Sequence, residues 1–205
     1  MGLARLFVLL WFLLAFTLSA SGWFERFSSA TLFGIGTGAT VSIFTILFWM
    51  SSRFRRYARA GNLKRLTRAQ LLRFFGILAL IKANQGVLPG TFAIPTGVMD
   101  ILIAATSLVV AARLVTPDRR PRPGFFVWHV VGLLSLAIST TLGILTSSTR
   151  FGLVTDGITS QPMTWFPMSL APTFIGPLVL ICHLLALVAA SPYYAESRIR
   201  ASERY

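Results

Sequence analysis

Cysteine, histidine and acidic side chains are almost missing from this 205-residue chain. Its one cysteine, Cys182, lies inside an apolar run, which excludes an intrachain disulfide and any cysteine-based metal site. Six acidic residues and two histidines leave little for acid–base chemistry. No span holds paired carboxylates, and neither Gly-x-Ser-x-Gly nor His-Glu-x-x-His occurs, so nucleophilic or zinc-dependent hydrolysis finds no support. Charged residues of both signs make up 12% of the chain, against roughly 25% in a soluble domain. That shortage excludes an ordinary water-soluble fold. What fills the space is apolar, 55% of all residues, arranged in long runs and not in the one-sided stripe of a surface helix.

A hydrocarbon core of roughly 30 Å needs about 20 helical residues. Six stretches meet that length: 3–20, 32–50, 70–88, 92–115, 125–146 and 170–190, the third weakened by Arg73 and Lys82. The expected fold is an all-α, polytopic transmembrane bundle forming a single domain over 1–205. Lys and Arg in short loops set orientation. With the N-terminus inside, 16 of the 19 basic residues fall on the inner side, including Arg5, Arg119 and Arg204; Arg26, Lys82 and Arg150 do not. The expected topology therefore has six spans, both termini cytoplasmic and a bacterial-type inner membrane as its location. Residues 1–20 read in two ways. They suit a retained anchor, and the 13-residue apolar core Leu6–Leu18 also suits a signal peptide, although Leu18 is poor at the −3 position.

Net charge is +13, concentrated in the inner loop 51–69, which interleaves Arg53, Arg55, Arg56 and Arg59 with Phe54 and Tyr57. Such interleaving also occurs in nucleic-acid binders. No zinc-finger, RRM or helix-turn-helix pattern accompanies it, and a basic loop lying against anionic lipid explains it fully. Nucleic acid is not an expected partner. Expected partners are the bilayer and a membrane protein or a second copy of the chain.

Gly34-Ile-Gly36-Thr-Gly38 lacks the strand and lysine of a phosphate loop. It reads as a small-xxx-small contact, Gly34 with Gly38, that lets two helices approach. One face of the fifth span carries Gly132, Leu136, Ser139 and Gly143, and one face of the sixth carries Thr173, Gly176, Leu180 and His183. Pro172 and Pro177 are expected to bend the sixth. Ser147 to Ser169, with Trp165 and several prolines, is expected to lie on the outer surface as an interfacial lid.

Ionisable groups at membrane depth are costly and mark functional positions. Lys82, Asn84, Gln85 and Asp100 fall near the outer end of consecutive spans. A Lys82–Asp100 pair would neutralise both charges and offer a ligand or ion site. The same pair could serve only to fix helix register. His129 and His183 fall at matched depth near the cytoplasmic side. They could ligate a b-type haem or a metal, or simply hydrogen-bond at an interface.

The stretch Gly86-Val-Leu-Pro-Gly-Thr-Phe-Ala-Ile-Pro-Thr-Gly97-Val-Met-Asp100 resembles a pattern in small uncharacterised bacterial multi-pass proteins. Trp128-His129-Val-Val-Gly132 is similar to a Trp-Asn-x-x-Gly in their next span. Pro172-Thr173-Phe174-Ile-Gly-Pro177 followed by His183 is similar to their Pro-Thr-Phe-x-x-Pro…His ending. The resemblance covers roughly residues 73–187 and implies a membrane bundle without an assigned activity. It departs at His129, where the pattern has Asn, and at Ser135, where it has Asp. It keeps Asp100 and His183. Together these readings favour a binding or transport bundle, with a cofactor protein or a partner subunit as alternatives.

Overall fold

The computed structural model describes residues 2–116, 120–154 and 157–202. Arg119 and Arg204 lie outside the described residues. Among those described, the chain is helical, with one isolated bridge between Val115 and Pro121. The order is α1 (Leu3–Ala20), α2 (Ser29–Met50), α3 (Ser52–Arg59), α4 (Leu63–Arg68), a 3₁₀ segment (Ala69–Phe75), α5 (Gly76–Asn84), α6 (Gly90–Arg113), α7 (Pro123–Leu145) and α8 (Gly176–Ser202). Short turns at Trp23–Arg26 and Gln161–Thr164 and a π-helical turn at Ala171–Ile175 complete it.

Four helices are long and apolar enough to cross a membrane: Ser29–Met50, Gly90–Arg113, Pro123–Leu145 and Ala171–Pro192. Their outward faces are apolar; Ile43, Trp49, Leu134 and Ile138 are all exposed. Such a surface is stable in hydrocarbon and aggregates in water. α1 is a shorter apolar helix. It packs on the π-helical turn through Trp11 and Phe12, whose rings meet Phe174 at 5.2 and 5.3 Å. Ser19 also hydrogen-bonds Ser169.

The basic loop expected at 51–69 is two short helices. Ser51 caps α3 by accepting from Phe54 N at 3.2 Å, and Asn62 caps α4 by accepting from Arg65 N at 3.1 Å. Both are the small polar caps that satisfy first-turn donors. α4, the 3₁₀ segment and α5 form one unbroken helical run from Leu63 to Asn84. At rises of about 1.5 Å per α residue and 2.0 Å per 3₁₀ residue, that run is roughly 36 Å long. The weak stretch expected at 70–88 therefore begins earlier and ends earlier than its apolar residues suggest.

Two further expectations are corrected. Ser147–Ser169 does not lie on the surface as a lid throughout. Its second half folds into the bundle, where Ser160, Met163, Thr164 and Met168 are buried. Ser160 Oγ donates to Gly143 O at 2.7 Å and meets Ser29 Oγ at 2.9 Å, tying α7 to the start of α2. The Gly34–Gly38 contact is also not the one made: a Cβ at either position would meet open space, whereas one at Gly36 would strike the Pro172 carbonyl. The inward face of α2 is Phe33, Gly36 and Thr37. Spacing alone could not fix that rotation.

Candidate functional site

Thr67, Gln70, Arg73, Gly76 and Ala79 recur every third residue, and all are buried. A 3₁₀ helix has three residues per turn, so side chains at i and i+3 line up on one face. The 3₁₀ segment thus gathers a polar stripe that an α-helix would spread around its axis. Arg73, only 1% exposed, is the largest fully buried side chain among the described residues.

Glycines bring α5 and α6 close enough for Arg73 to reach its partner. A Cβ on Gly97 would come within 2.8 Å of the Gly76 carbonyl, and one on Gly76 within 2.6 Å of Asp100 Cβ. In that tight crossing Arg73 Nε donates to Asp100 Oδ1 at 2.8 Å, and Nη2 lies 2.7 Å from the same oxygen. Nη2 also donates to Ser135 Oγ at 2.6 Å, and Nη1 donates to Gly132 O at 3.2 Å. Nη1 faces His183 Nε2 at 3.5 Å. The guanidinium thus donates to Asp100, Ser135, Gly132 and His183, the dense set of acceptors that a buried arginine requires.

The histidines extend this cluster. His183 Nδ1 lies 2.7 Å from His129 Nδ1, and His129 Nε2 lies 3.2 Å from Thr67 Oγ1. Thr67 Oγ1 in turn donates to Leu63 O at 2.8 Å. Donor logic fixes every proton. Arginine only donates, so His183 Nε2 is bare and its proton is on Nδ1. That proton is donated to His129 Nδ1, so the His129 proton is on Nε2 and points to Thr67. Both rings are neutral, and the chain Arg73→His183→His129→Thr67→Leu63 O runs in one direction across three packed segments. Phe125 and Trp128 pack on the rings, with centroids 4.4 Å and 4.9 Å from His129. Trp128 Nε1 is held by Thr106 Oγ1 at 3.0 Å.

A cavity of about 80 Å³ lies beside the ion pair, toward the end of the bundle away from α3 and α4. Arg73, Asp100, Thr37, Thr96, Ser139 and Thr140 give it polar lining; Phe33, Phe92, Met163 and Met168 close its apolar side. Thr96 Oγ1 is buried with no hydrogen-bond partner, as is Gln70 Oε1. A buried polar atom without a partner is costly and asks for an explanation. At Thr96 the neighbouring void supplies one.

The expected Lys82–Asp100 pair is not made. Lys82 Nζ donates to Gln85 Oε1 at 3.0 Å in the turn after α5, and Asn84 and Gln85 are exposed there. Asp100 stands ten residues into the 24-residue α6, near its middle, and takes Arg73 instead. A metal–imidazole bond is about 2.0–2.1 Å, so two ring nitrogens on one metal stand about 3.3 Å apart in tetrahedral geometry and about 4 Å apart when trans. The 2.7 Å separation of His129 and His183 is that of a hydrogen bond. Among the described residues no group of three or more His, Cys, Asp and Glu side chains is placed to hold a metal. Arg73, Thr67 and Gln70 were not singled out from the sequence as site residues; their three-residue spacing inside an apolar stretch was the signal.

The fold and the site define a membrane-type helical bundle with an ion pair, a histidine couple and a small cavity in its interior. The chain belongs to the family of the domain of unknown function DUF8737, whose model matches residues 30–190. That match spans the whole cluster, Thr67 to His183. No curated protein and no solved structure matches the chain significantly.

Proposed function

We propose that this protein is a multi-pass membrane protein that binds a small polar solute in the cavity beside Arg73 and Asp100, the arrangement of a binding or transport bundle. The observation that carries this reading is the unpartnered Thr96 Oγ1, buried at the edge of a void that also exposes an intramembrane ion pair. Charged groups at such depth cost several kcal/mol to desolvate and persist where they serve a solute pathway. A π-helical turn adjoins the same void, and such turns recur at functional sites. Met163 and Met168, buried and flexible side chains, line the same void.

In this reading α1 and the Leu63–Asn84 run join the four long helices as crossings, giving six. Ser19 and Ala15 of α1 are buried against the rest, which supports a retained first helix. The basic residues of α3 and α4 favour a cytoplasmic side, against anionic lipid, for that end and for both termini. The inner membrane of a cell is the matching location. Lys82, Asn84 and Gln85 then belong to the opposite rim and not to the binding site.

The test is thermal stabilisation of the detergent-purified protein by small solutes, both neutral (formamide, urea, glycerol) and anionic (nitrate, formate, acetate). Stabilisation by at least one of them, lost in Thr96→Val, is expected. No response to any of them overturns the reading.

A further inference from the structure

We infer that the solute taken up beside Arg73 is a small anion, and that it binds together with one proton held by the Asp100–His183–His129 group. This rests on the binding-site reading above and says which chemistry the site selects.

Charge balance is the starting point. Ionisable groups reach this region from every packed element that carries one: Arg73 from the 3₁₀ segment, Asp100 from α6, His129 from α7 and His183 from α8. α2 and α5 bring only Phe33, Thr37, Gly76 and Ala79. The hydrogen-bond directions make both histidines neutral, so the cluster sums to zero. A charged solute therefore needs a compensating charge in surroundings that hydrate neither. A cation would require Arg73 to lose its proton, which arginine does not do in proteins. An anion requires only that a proton be gained, and Asp100 or His183 Nε2 can take one once Arg73 turns toward the anion.

Geometry favours the same choice. The guanidinium is a planar fork matched to oxyanions. Two of its five hydrogens make long contacts, at 3.2 Å to Gly132 O and 3.5 Å to His183 Nε2. These are the bonds most readily exchanged. An anion that draws Nη1 away leaves His183 Nε2 bare and basic, and an anion that takes the place of Asp100 leaves a carboxylate without its partner. Either way the proton has a seat that only anion binding creates. The balance is simple: one anion and one proton enter, one N–H or O–H bond forms, and net charge stays at zero. The chain then offers a path. A proton arriving at His183 Nε2 releases the one on Nδ1 to His129 Nδ1, and the positive charge then rests on the His129 ring with its Nε2 proton still on Thr67 Oγ1.

Size restricts the anion. A cavity of about 150 Å³ holds benzene; about 80 Å³ suits three or four heavy atoms, such as nitrate, formate or acetate. Thr96 Oγ1 is the hydroxyl left to hydrogen-bond it.

Nitrate is the probe of choice because it takes no proton itself in the working range. Its affinity for the full-length protein in detergent is measured between pH 5.5 and 8, and proton uptake is followed with an indicator dye in weakly buffered solution. The expected result is a Kd that weakens about tenfold per pH unit at the alkaline end, with about one proton taken up per nitrate bound. In Asp100→Asn the unpaired Arg73 already supplies the positive charge, so the slope falls to zero and uptake disappears while binding persists. The dye measurement on the unaltered protein stands even where that variant fails to fold. Nitrate binding without proton uptake, or binding of neutral solutes alone, overturns this inference and leaves the binding-site reading standing. Binding of nothing overturns both.

Discussion

The His183 imidazole occupies the space where Gly132 would carry a side chain: a Cβ built on Gly132 collides with the ring. The helix α7 thus yields one residue's volume so that α8 can bring a polar ring to Arg73. Gly132→Ala forces His183 out of line or separates the helices. Overpacking of this kind costs about 1–3 kcal/mol. Thermal unfolding in detergent should show that loss, and Gly124→Ala, whose Cβ meets Leu114 only at ordinary contact distance, should not.

The three glycines of α2 separate by sign. Gly34 and Gly38 have open space where a Cβ would go, so alanine there gains helix propensity, about 0.5–1 kcal/mol. Gly36→Ala meets the Pro172 carbonyl and should destabilise. A uniform response of the three would show that α2 is rotated otherwise.

Arg73 and Asp100 should prove costly to break singly and cheap to remove together. Arg73→Met leaves a carboxylate with no cation, and losses of about 3–5 kcal/mol are usual when one partner of a buried pair is removed. Arg73→Met with Asp100→Leu should recover most of it. A double-mutant cycle on unfolding reads the coupling directly.

The tautomers of the histidine couple are opposite by construction, with the proton on Nδ1 in His183 and on Nε2 in His129. Nitrogen-15 NMR of the histidine-labelled protein distinguishes these forms. Thr67→Val removes the acceptor of the His129 proton and should cost about 1–3 kcal/mol as an unsatisfied buried donor. Two identical tautomers would break the one-way chain. The absorption spectrum of the purified protein is expected to lack a Soret band, because the rings bond one another.

Lys82→Ala should change stability by no more than about 0.5 kcal/mol, since its contact with Gln85 is a solvent-side hydrogen bond within one turn. A loss comparable to that of Arg73→Met would return Lys82 to the site.

Asp100, His129 and His183 were legible as special because ionisable groups in apolar stretches are rare for a physical reason that needs no structure. Their partners were not legible. Lys82 and Arg73 stand on the same stretch, and spacing from an assumed helix end favoured Lys82. The stretch actually starts at Leu63 and tightens to three residues per turn, which moves Arg73 inward and Lys82 to the rim. The matched depth of the two histidines suggested ligands, while the absent side chain of Gly132 lets their rings touch.

By itself the sequence determined that the chain is helical and that its helices are apolar, four of them long enough to cross a membrane. Long apolar runs bury themselves in hydrocarbon, and backbone groups there have no choice but to pair within helices. The caps at Ser51 and Asn62 and the glycine-and-proline turns are equally local. Only the tertiary structure decided which acid meets which base, which glycine of α2 is the contact and where a void remains. Those depend on helix rotation and on crossings set by single missing side chains, Gly76, Gly97 and Gly132 among them, and no periodicity encodes a rotation between helices that are distant in the chain.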